Sequence, residues 1–311
     1  MATTTRKIGA GVQQLEEKAM MTGDVEVIVQ GNVLQFIEED VNQSQQVMVT
    51  QYNNNFVRVQ GLGDTDIRYD GQLWDSIILH RSSFSGGIFA QLGGGNDTFV
   101  FSGGGFSTQN VNVSTGSGYD NVTITGLNTT GEVKIDTGSQ NDNVYVSNLW
   151  VAGAGNDLRI LTGSGLDTVT VNNVAVEDDI VVQTYASSTE NERDVVTIRD
   201  SNFDDFYGYF GGGNDKLRME DNGAANDRLD NVYAFLGDGN DEAEYFGNTA
   251  DYISTNGGAG NDDVEAGFND VDYFNFAGDS GYDEYFEVQQ NGKDSNSFGQ
   301  LKLSSAYHRF N

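Results

Sequence analysis

Short runs of alternating apolar and polar residues recur along most of the chain, about once every 22 residues. In one run, Val122 and Ile124 are apolar and Thr123 between them is polar. A period of two predicts a strand with one buried and one solvent-facing side. A second apolar pair, here Val111 and Val113, precedes each run, so each repeat contains two predicted strands.

A phrase rich in glycine, asparagine and aspartate separates the two strands of each repeat. Regular self-similarity at this period predicts a solenoid. We therefore predict an all-β fold, a single parallel β-helix or β-solenoid of about 22 residues per coil. The phrase ends at Asp75, Asp97, Asp120, Asp142, Asp167, Asp215, Asp241, Asp262 and Asp283, with a degenerate copy ending at Asp194.

The pattern divides the chain into four segments. They are an N-terminal helix or cap (1–23), N-terminal β-coils without the phrase (24–70), the repeat solenoid (71–290) and a C-terminal strand or tail (291–311). In the first segment Ile8, Val12, Leu15 and Ala19 have helical spacing. We predict a short amphipathic helix that covers the open end of the β-helix or docks a partner subunit.

Composition restricts the chemistry of the chain. Forty glycines and no proline predict turns built from Gly, Asn and Asp, and the absence of cysteine excludes disulfides and thiolate sites. The net charge is −31, and residues 200–290 hold 22 acidic residues against three basic ones. Such a surface repels nucleic acid and anionic lipid and attracts cations.

The sequence contains no apolar run of the roughly 18 residues that a membrane span needs. Its N-terminus lacks the apolar core of a secretory signal. Export by a route without such a signal, a missing leader and a cytoplasmic location all stay open, and we expect an extracellular or cell-surface protein.

The phrase resembles the calcium-binding nonapeptide of RTX (haemolysin-type) proteins, G-G-x-G-x-D-x-U-x with U a large apolar residue. Residues 257–265 match it completely, whereas other copies place Leu92, Thr115, Thr137, Thr162 or Leu236 at the first glycine. The resemblance implies calcium bound by aspartate carboxylates and glycine-loop carbonyls. RTX nonapeptides follow in tandem, two to a coil; here one phrase occurs per longer coil, which limits a calcium ladder to one edge.

The implied calcium ligands are the aspartates of the phrase with main-chain carbonyls near its glycines. The aspartates are Asp97, Asp120, Asp142, Asp167, Asp215, Asp241, Asp262 and Asp283, and the glycines are Gly93, Gly95, Gly116, Gly118, Gly163, Gly165, Gly211, Gly213, Gly237, Gly239, Gly258 and Gly260. Glu190 and Glu192 replace the glycines before Asp194, which predicts an interruption of this ladder.

Physical chemistry supports two interpretations of the phrase. Stacked carboxylates ~4.8 Å apart repel one another, and calcium, which takes six to eight oxygens, would relieve that repulsion. A metal-free corner is the alternative, because Gly supplies positive φ angles and stacked Asn residues form hydrogen-bonded ladders. The asparagines of that column are Asn96, Asn141, Asn214, Asn240 and Asn261.

No catalytic residue is predicted. The chain has only His80 and His308 and lacks HExxH, G-x-S-x-G and P-loop patterns. We expect a non-enzymatic structural protein of a surface, matrix or filament, self-assembled head to tail, with a cell-surface polysaccharide as a candidate partner. The alternatives are a lyase or epimerase acting on acidic polysaccharide and an ice-binding solenoid. The ice-binding alternative rests on Thr123, Thr125, Thr168, Thr170 and Thr197.

Overall fold

The chain folds as a parallel β-solenoid of about nine turns of ~23 residues, which confirms the predicted fold class. The computed structural model describes residues 24–38, 43–187, 191–287, 297–304 and 306–310; beyond residue 286 it describes backbone only. This part of the chain contains no α-helix, and one 3-10 helix spans Arg81–Phe84. The predicted N-terminal capping helix lies outside the described residues.

Two sheets, A and B, run along the solenoid and enclose its core. Sheet A contains β1 (Val25–Gln30), β2 (Val33–Glu38), β5 (Ile67–Tyr69), β6 (Gln72–Trp74), β8 (Gly87–Gln91), β10 (Asn110–Ser114), β12 (Val133–Asp136), β14 (Leu158–Leu161), β17 (Ile180–Gln183), β19 (Asp205–Tyr209), β21 (Leu229–Asp238), β23 (Thr249–Ala259), β25 (Asp270–Ser280) and β27 (Ser297–Ser304). Sheet B contains β3 (Gln46–Asn53), β4 (Phe56–Gly61), β7 (Ser76–His80), β9 (Thr98–Thr108), β11 (Asn121–Thr129), β13 (Asn143–Val151), β15 (Thr168–Asn172), β16 (Ala175–Val176), β18 (Val195–Arg199), β20 (Lys216–Glu220), β22 (Glu242–Phe246), β24 (Asp263–Gly267), β26 (Asp283–Glu287) and β28 (Ala306–Phe310).

Each coil consists of a strand of sheet A, a turn that we call the Asp corner, a strand of sheet B, and a second turn that we call the return corner. Equivalent residues of successive coils stack in register, as Val122 pairs with Val144 and Val144 with Val169. These apolar residues are fully buried between the sheets, because alternate side chains of each strand point inward. The core is therefore a narrow column that extends along the whole rod.

The N-terminal segment differs from the predicted series of coils. Strands β2 and β3 form one coil without the phrase, since they pair in parallel with β8 and β9. The other strands there form antiparallel pairs, β1 with β2, β4 with β3 and β7, and β5 with β6. Asp75 lies exposed between the short strands β6 and β7, so its copy of the phrase forms no corner of a coil. An antiparallel hairpin needs only local pairing, which explains why alternation alone did not separate it from a coil.

Candidate functional site

The aspartates of the phrase form one buried column along the Asp corner. Each is at most 3% exposed, and Gln45 takes the same place in the coil of β2 and β3. The backbone N–H of Gln45, and of each aspartate before Asp283, donates to the Oδ1 atom of the aspartate one coil later, at 2.6–3.2 Å. We call these nine residues the Asp column: Asp97, Asp120, Asp142, Asp167, Asp194, Asp215, Asp241, Asp262 and Asp283. The column therefore holds successive coils together through side-chain to main-chain bonds.

The Asp column passes through Asp194 without a break, so the carboxylates stay stacked where the loop glycines are replaced; the predicted interruption of a calcium ladder stays a prediction. The Asp167 N–H donates to Asp194 Oδ1, and the Asp194 N–H donates to Asp215 Oδ1, both at 2.8 Å. The loss of glycines changes only the loop before Asp194. Its aspartate keeps its place because the flanking strands β17 and β18 stay in register with their neighbours.

Glycine is required in the Asp corner by close stacking of the backbone. Gly239 has φ +153°, and a Cβ there would overlap the carbonyl oxygen of Gly213 in the preceding coil. The glycine four residues before the aspartate has a different role. Its carbonyl accepts an N–H of the next coil, as the Gly93 carbonyl does from Ser117 at 3.2 Å. Among the loop carbonyls predicted as calcium ligands, those of Gly93, Gly116 and Gly211 thus already accept hydrogen bonds between coils.

The second carboxylate oxygen, Oδ2, has different surroundings along the column. Burial raises the pKa of Asp120, Asp142 and Asp194, and a nearby threonine hydroxyl opposes part of that rise. Among the described residues, Oδ2 is buried without a hydrogen-bond partner in Asp97, Asp120, Asp142, Asp215, Asp241, Asp262 and Asp283. In five of these the residue five positions earlier is Leu, Phe or Gly instead of Thr, namely in Asp97, Asp215, Asp241, Asp262 and Asp283.

Burial raises the pKa of aspartates along the column, and repulsion between neighbouring carboxylates adds to this in Asp97, Asp142, Asp194, Asp241 and Asp262. The pKa is about 8 for Asp97, Asp142 and Asp194, about 7 for Asp215 and Asp241, and about 6 for Asp262, and desolvation is the largest cause in each. At neutral pH Asp97, Asp142 and Asp194 therefore retain protons in the folded chain unless a cation compensates their charge.

The asparagine column beside it forms a ladder through the main chain. The Asn96 Oδ1 accepts the N–H of Tyr119 at 3.0 Å, and Asn261 accepts that of Tyr282 at 2.8 Å. Asn141, Asn214 and Asn240 accept an N–H of the following coil in the same way. This ladder needs no metal, as the metal-free interpretation of the corner predicts.

A second polar ladder, which sequence analysis missed, fills the return corner of the later coils. The Asn248 Oδ1 accepts the Asn222 N–H at 3.2 Å, and Asn269 Oδ1 accepts the Asn248 N–H at 2.9 Å. Each side-chain amide also donates to a main-chain carbonyl, as Asn248 Nδ2 does to Met219 at 2.9 Å. Ser201 begins this ladder. Its spacing of 21, 26 and 21 residues equals that of Asp194 to Asp262, which was the available signal.

Outside the Asp column, one acidic group in the described part of the chain brings three carboxylates close together. Ligand oxygens of Asp157, Asp178 and Asp179 lie within 4.8 Å of one another, at partly exposed positions. Burial first, and then repulsion by Asp178, raises the pKa of Asp179 to about 6.

The chain matches no known family model, no curated protein and no solved structure. In the described segments, none of the helical structure is long and apolar enough to cross a membrane.

Proposed function

We propose that this protein is a non-enzymatic, extracellular structural rod that assembles head to tail. The observation that supports it best is the form of the C-terminal end. Both sheets continue in register through β25 and β26 to β27 and β28, whose outer edges pair with no described strand. An unpaired strand edge is a template for pairing with another chain.

The N-terminal end of the rod provides an apolar surface for that partner. Leu73 and Trp74 on β6 and Ile78 on β7 are 42%, 49% and 47% exposed, and β6 and β7 are the outermost strands of their sheets. A neighbouring molecule whose C-terminal edge stacks here would bury these side chains. Because the two surfaces differ, the contact does not close on itself and repeats into a fibre.

Stacked aromatic side chains on sheet A support a mechanical role. Tyr207 stacks on Tyr233 at 5.5 Å between ring centroids, and Tyr252 stacks on Tyr273 at 5.1 Å. Tyr209 stacks on Phe235 at 5.3 Å. Such ladders of aromatic rings stiffen cross-strand stacks, as they do in fibrils.

We propose calcium as a ligand of the Asp corner, concentrated where Oδ2 has no hydroxyl neighbour, at Asp215, Asp241, Asp262 and Asp283. These atoms form an all-oxygen set, which fits a hard cation. The Oδ1 atoms and loop carbonyls such as that of Gly93 already accept hydrogen bonds between coils. We therefore expect water to supply the other calcium ligands. Calcium would compensate the charge that burial makes unfavourable.

Light scattering and negative-stain microscopy at high protein concentration test the assembly. We expect filaments from the wild type and monomers from Ile78→Lys. Phe235→Lys is the matched control, because Phe235 is 42% exposed on the side of the rod and not at its end. A wild type that stays monomeric, or equal loss of filaments in both variants, contradicts the proposal.

Thermal unfolding in chelator and in millimolar calcium tests the ligand separately. We expect a higher Tm with calcium and a smaller rise in Asp241→Asn, which lacks one anionic Oδ2. Equal Tm values in both solutions would exclude calcium without affecting the assembly result.

Alginate and pectin should stay unmodified, because the outward Arg159 and Arg218 are already paired with neighbouring acids.

A further inference from the structure

A groove of about 650 Å³ lies along the return corner, on the opposite side of the coils from the Asp column. It begins at Trp150 in β13 and ends at the turn of Gly223 to Asp227. We call it the Trp150 groove. Its length covers three steps between coils, or ~14 Å.

The groove exists because one column of outward residues changes in size. Trp150 pairs with Ala175 in the next coil, and Ala175 with Asn202 in the one after. The small Ala175 side chain leaves a recess beside the Trp150 ring. Buried Leu149 and Val174 line the same recess and are 2% exposed, so its base is apolar and fixed by the core.

The far wall is a tight turn that the shorter coils lack. Ala224 and Asp227 exchange two backbone hydrogen bonds at 2.8 and 2.9 Å, which closes the turn. The Asn202 side-chain amide donates to the Asp227 carboxylate and holds the turn against the groove. This insertion accounts for the 26-residue spacing between Asp215 and Asp241.

The lining combines a flat aromatic ring with hydrogen-bonding groups and no positive charge. Trp150 is 48% exposed, although the chain has only two tryptophans. Asn148, Asn173, Asp200 and Asp221 line the rim, and no Lys or Arg is among the described lining residues. An indole ring packs on the C–H face of a pyranose, while amides and carboxylates bond its hydroxyls.

Charge decides which saccharide suits this surface. The carboxylates of Asp200, Asp221 and Asp227 would repel uronic acids and sulfated sugars. We propose that the Trp150 groove binds a neutral oligosaccharide.

Fluorescence titration of a Trp74→Phe protein tests this, because Trp150 is then the sole tryptophan. The probes are cellohexaose, maltohexaose and chitohexaose, with hexagalacturonate as the charged comparison. Measurements in chelator at micromolar protein separate binding from assembly and from calcium. We expect saturable quenching by a neutral probe at millimolar or lower concentration, and at least tenfold weaker binding of hexagalacturonate.

Two variants locate the binding. Ala175→Leu fills the recess at an exposed position and should weaken binding at least tenfold while leaving Tm unchanged. By calorimetry, Trp150→Ala should lose binding, whereas Trp74→Ala, which removes a tryptophan of equal exposure at the end of the rod, should not. The proposal fails if no neutral probe binds at 10 mM, if Ala175→Leu binds normally, or if only a proline-rich peptide quenches Trp150.

Discussion

The Asp column makes the stability of the rod depend on pH, and Asp241→Asn isolates one member. Asparagine keeps the Oδ1 acceptor for the Asp215 N–H but cannot ionise. The protein already accommodates a buried asparagine in a similar ladder, because Asn248 accepts and donates hydrogen bonds between coils at the return corner. The substitution therefore removes a charge with little change of shape.

The magnitude follows from the pKa of Asp241, which burial raises from 3.8 to about 7. Each unit of difference is worth about 1.4 kcal/mol, so ionisation at high pH costs at most about 4 kcal/mol. Water at the turn screens part of this, and we expect about 2 kcal/mol. Because the folded-state pKa is the higher one, the stabilising contribution is complete below about pH 4 and is lost as pH rises through 7.

Urea unfolding at about pH 3.5 and about pH 8, in chelator and at constant ionic strength, measures the effect. At the lower pH the variant should equal the wild type within about 1 kcal/mol, because a carboxyl that is mostly neutral in both the folded and the unfolded chain is then compared with an amide. At pH 8 the variant should be more stable by about 2 kcal/mol. Asp238→Asn is the control, since it removes an exposed charge from the same turn. Parallel pH curves of Asp241→Asn and wild type, or a larger gain in the control, would refute the reasoning.

Four further substitutions test the corners. Asn248→Leu should lower the free energy of unfolding by about 2–3 kcal/mol in urea, because it leaves the Asn222 N–H without its buried acceptor. Phe268→Asn should raise it by about 1 kcal/mol, since Phe268 is exposed at a left-handed φ of 59° that asparagine tolerates. Gly239→Ala should cost more than about 4 kcal/mol or prevent folding, as judged by circular dichroism, because its Cβ has no space. Gly155→Ala, at φ +84° with open space around it, should cost only about 1–2 kcal/mol.

The repeat predicted the fold because strand alternation and the aspartate spacing agree. Val122 and Val144 could be placed in one buried column from the sequence, since each follows its aspartate by two residues. The direction in which the aspartate side chains point could not be predicted from the sequence. A turn residue that points inward or outward has the same neighbours in sequence, and only the stacked backbone shows that Asp241 is buried against the next coil.

Other features of the structure could not be predicted from the sequence, for reasons that are local to particular residues. Gln45 belongs with the Asp column although no glycine phrase precedes it, because β2 and β3 set its position. Asp75 has the phrase's spacing, but its segment GQLWD has a single glycine and forms a hairpin. The ladder of Asn222 and Asn248 lay in turns whose variable length concealed its regular register.

The buried groups at the corners have different surroundings in the two halves of the rod. This difference predicts where unfolding begins. At Asp120, Asp142 and Asp194 a threonine hydroxyl opposes part of the rise in pKa that burial causes, and the return corner is closed by apolar residues such as Leu149. At Asp215, Asp241 and Asp262 no threonine hydroxyl opposes this rise, and residues 200–290 carry most of the excess acidic charge. Since each coil contacts only its neighbours, the loss of one coil exposes the next. Without calcium at high pH, amide hydrogen exchange should therefore be fastest in β22 to β26 and slowest in β11 to β15, and uniform exchange would contradict this order.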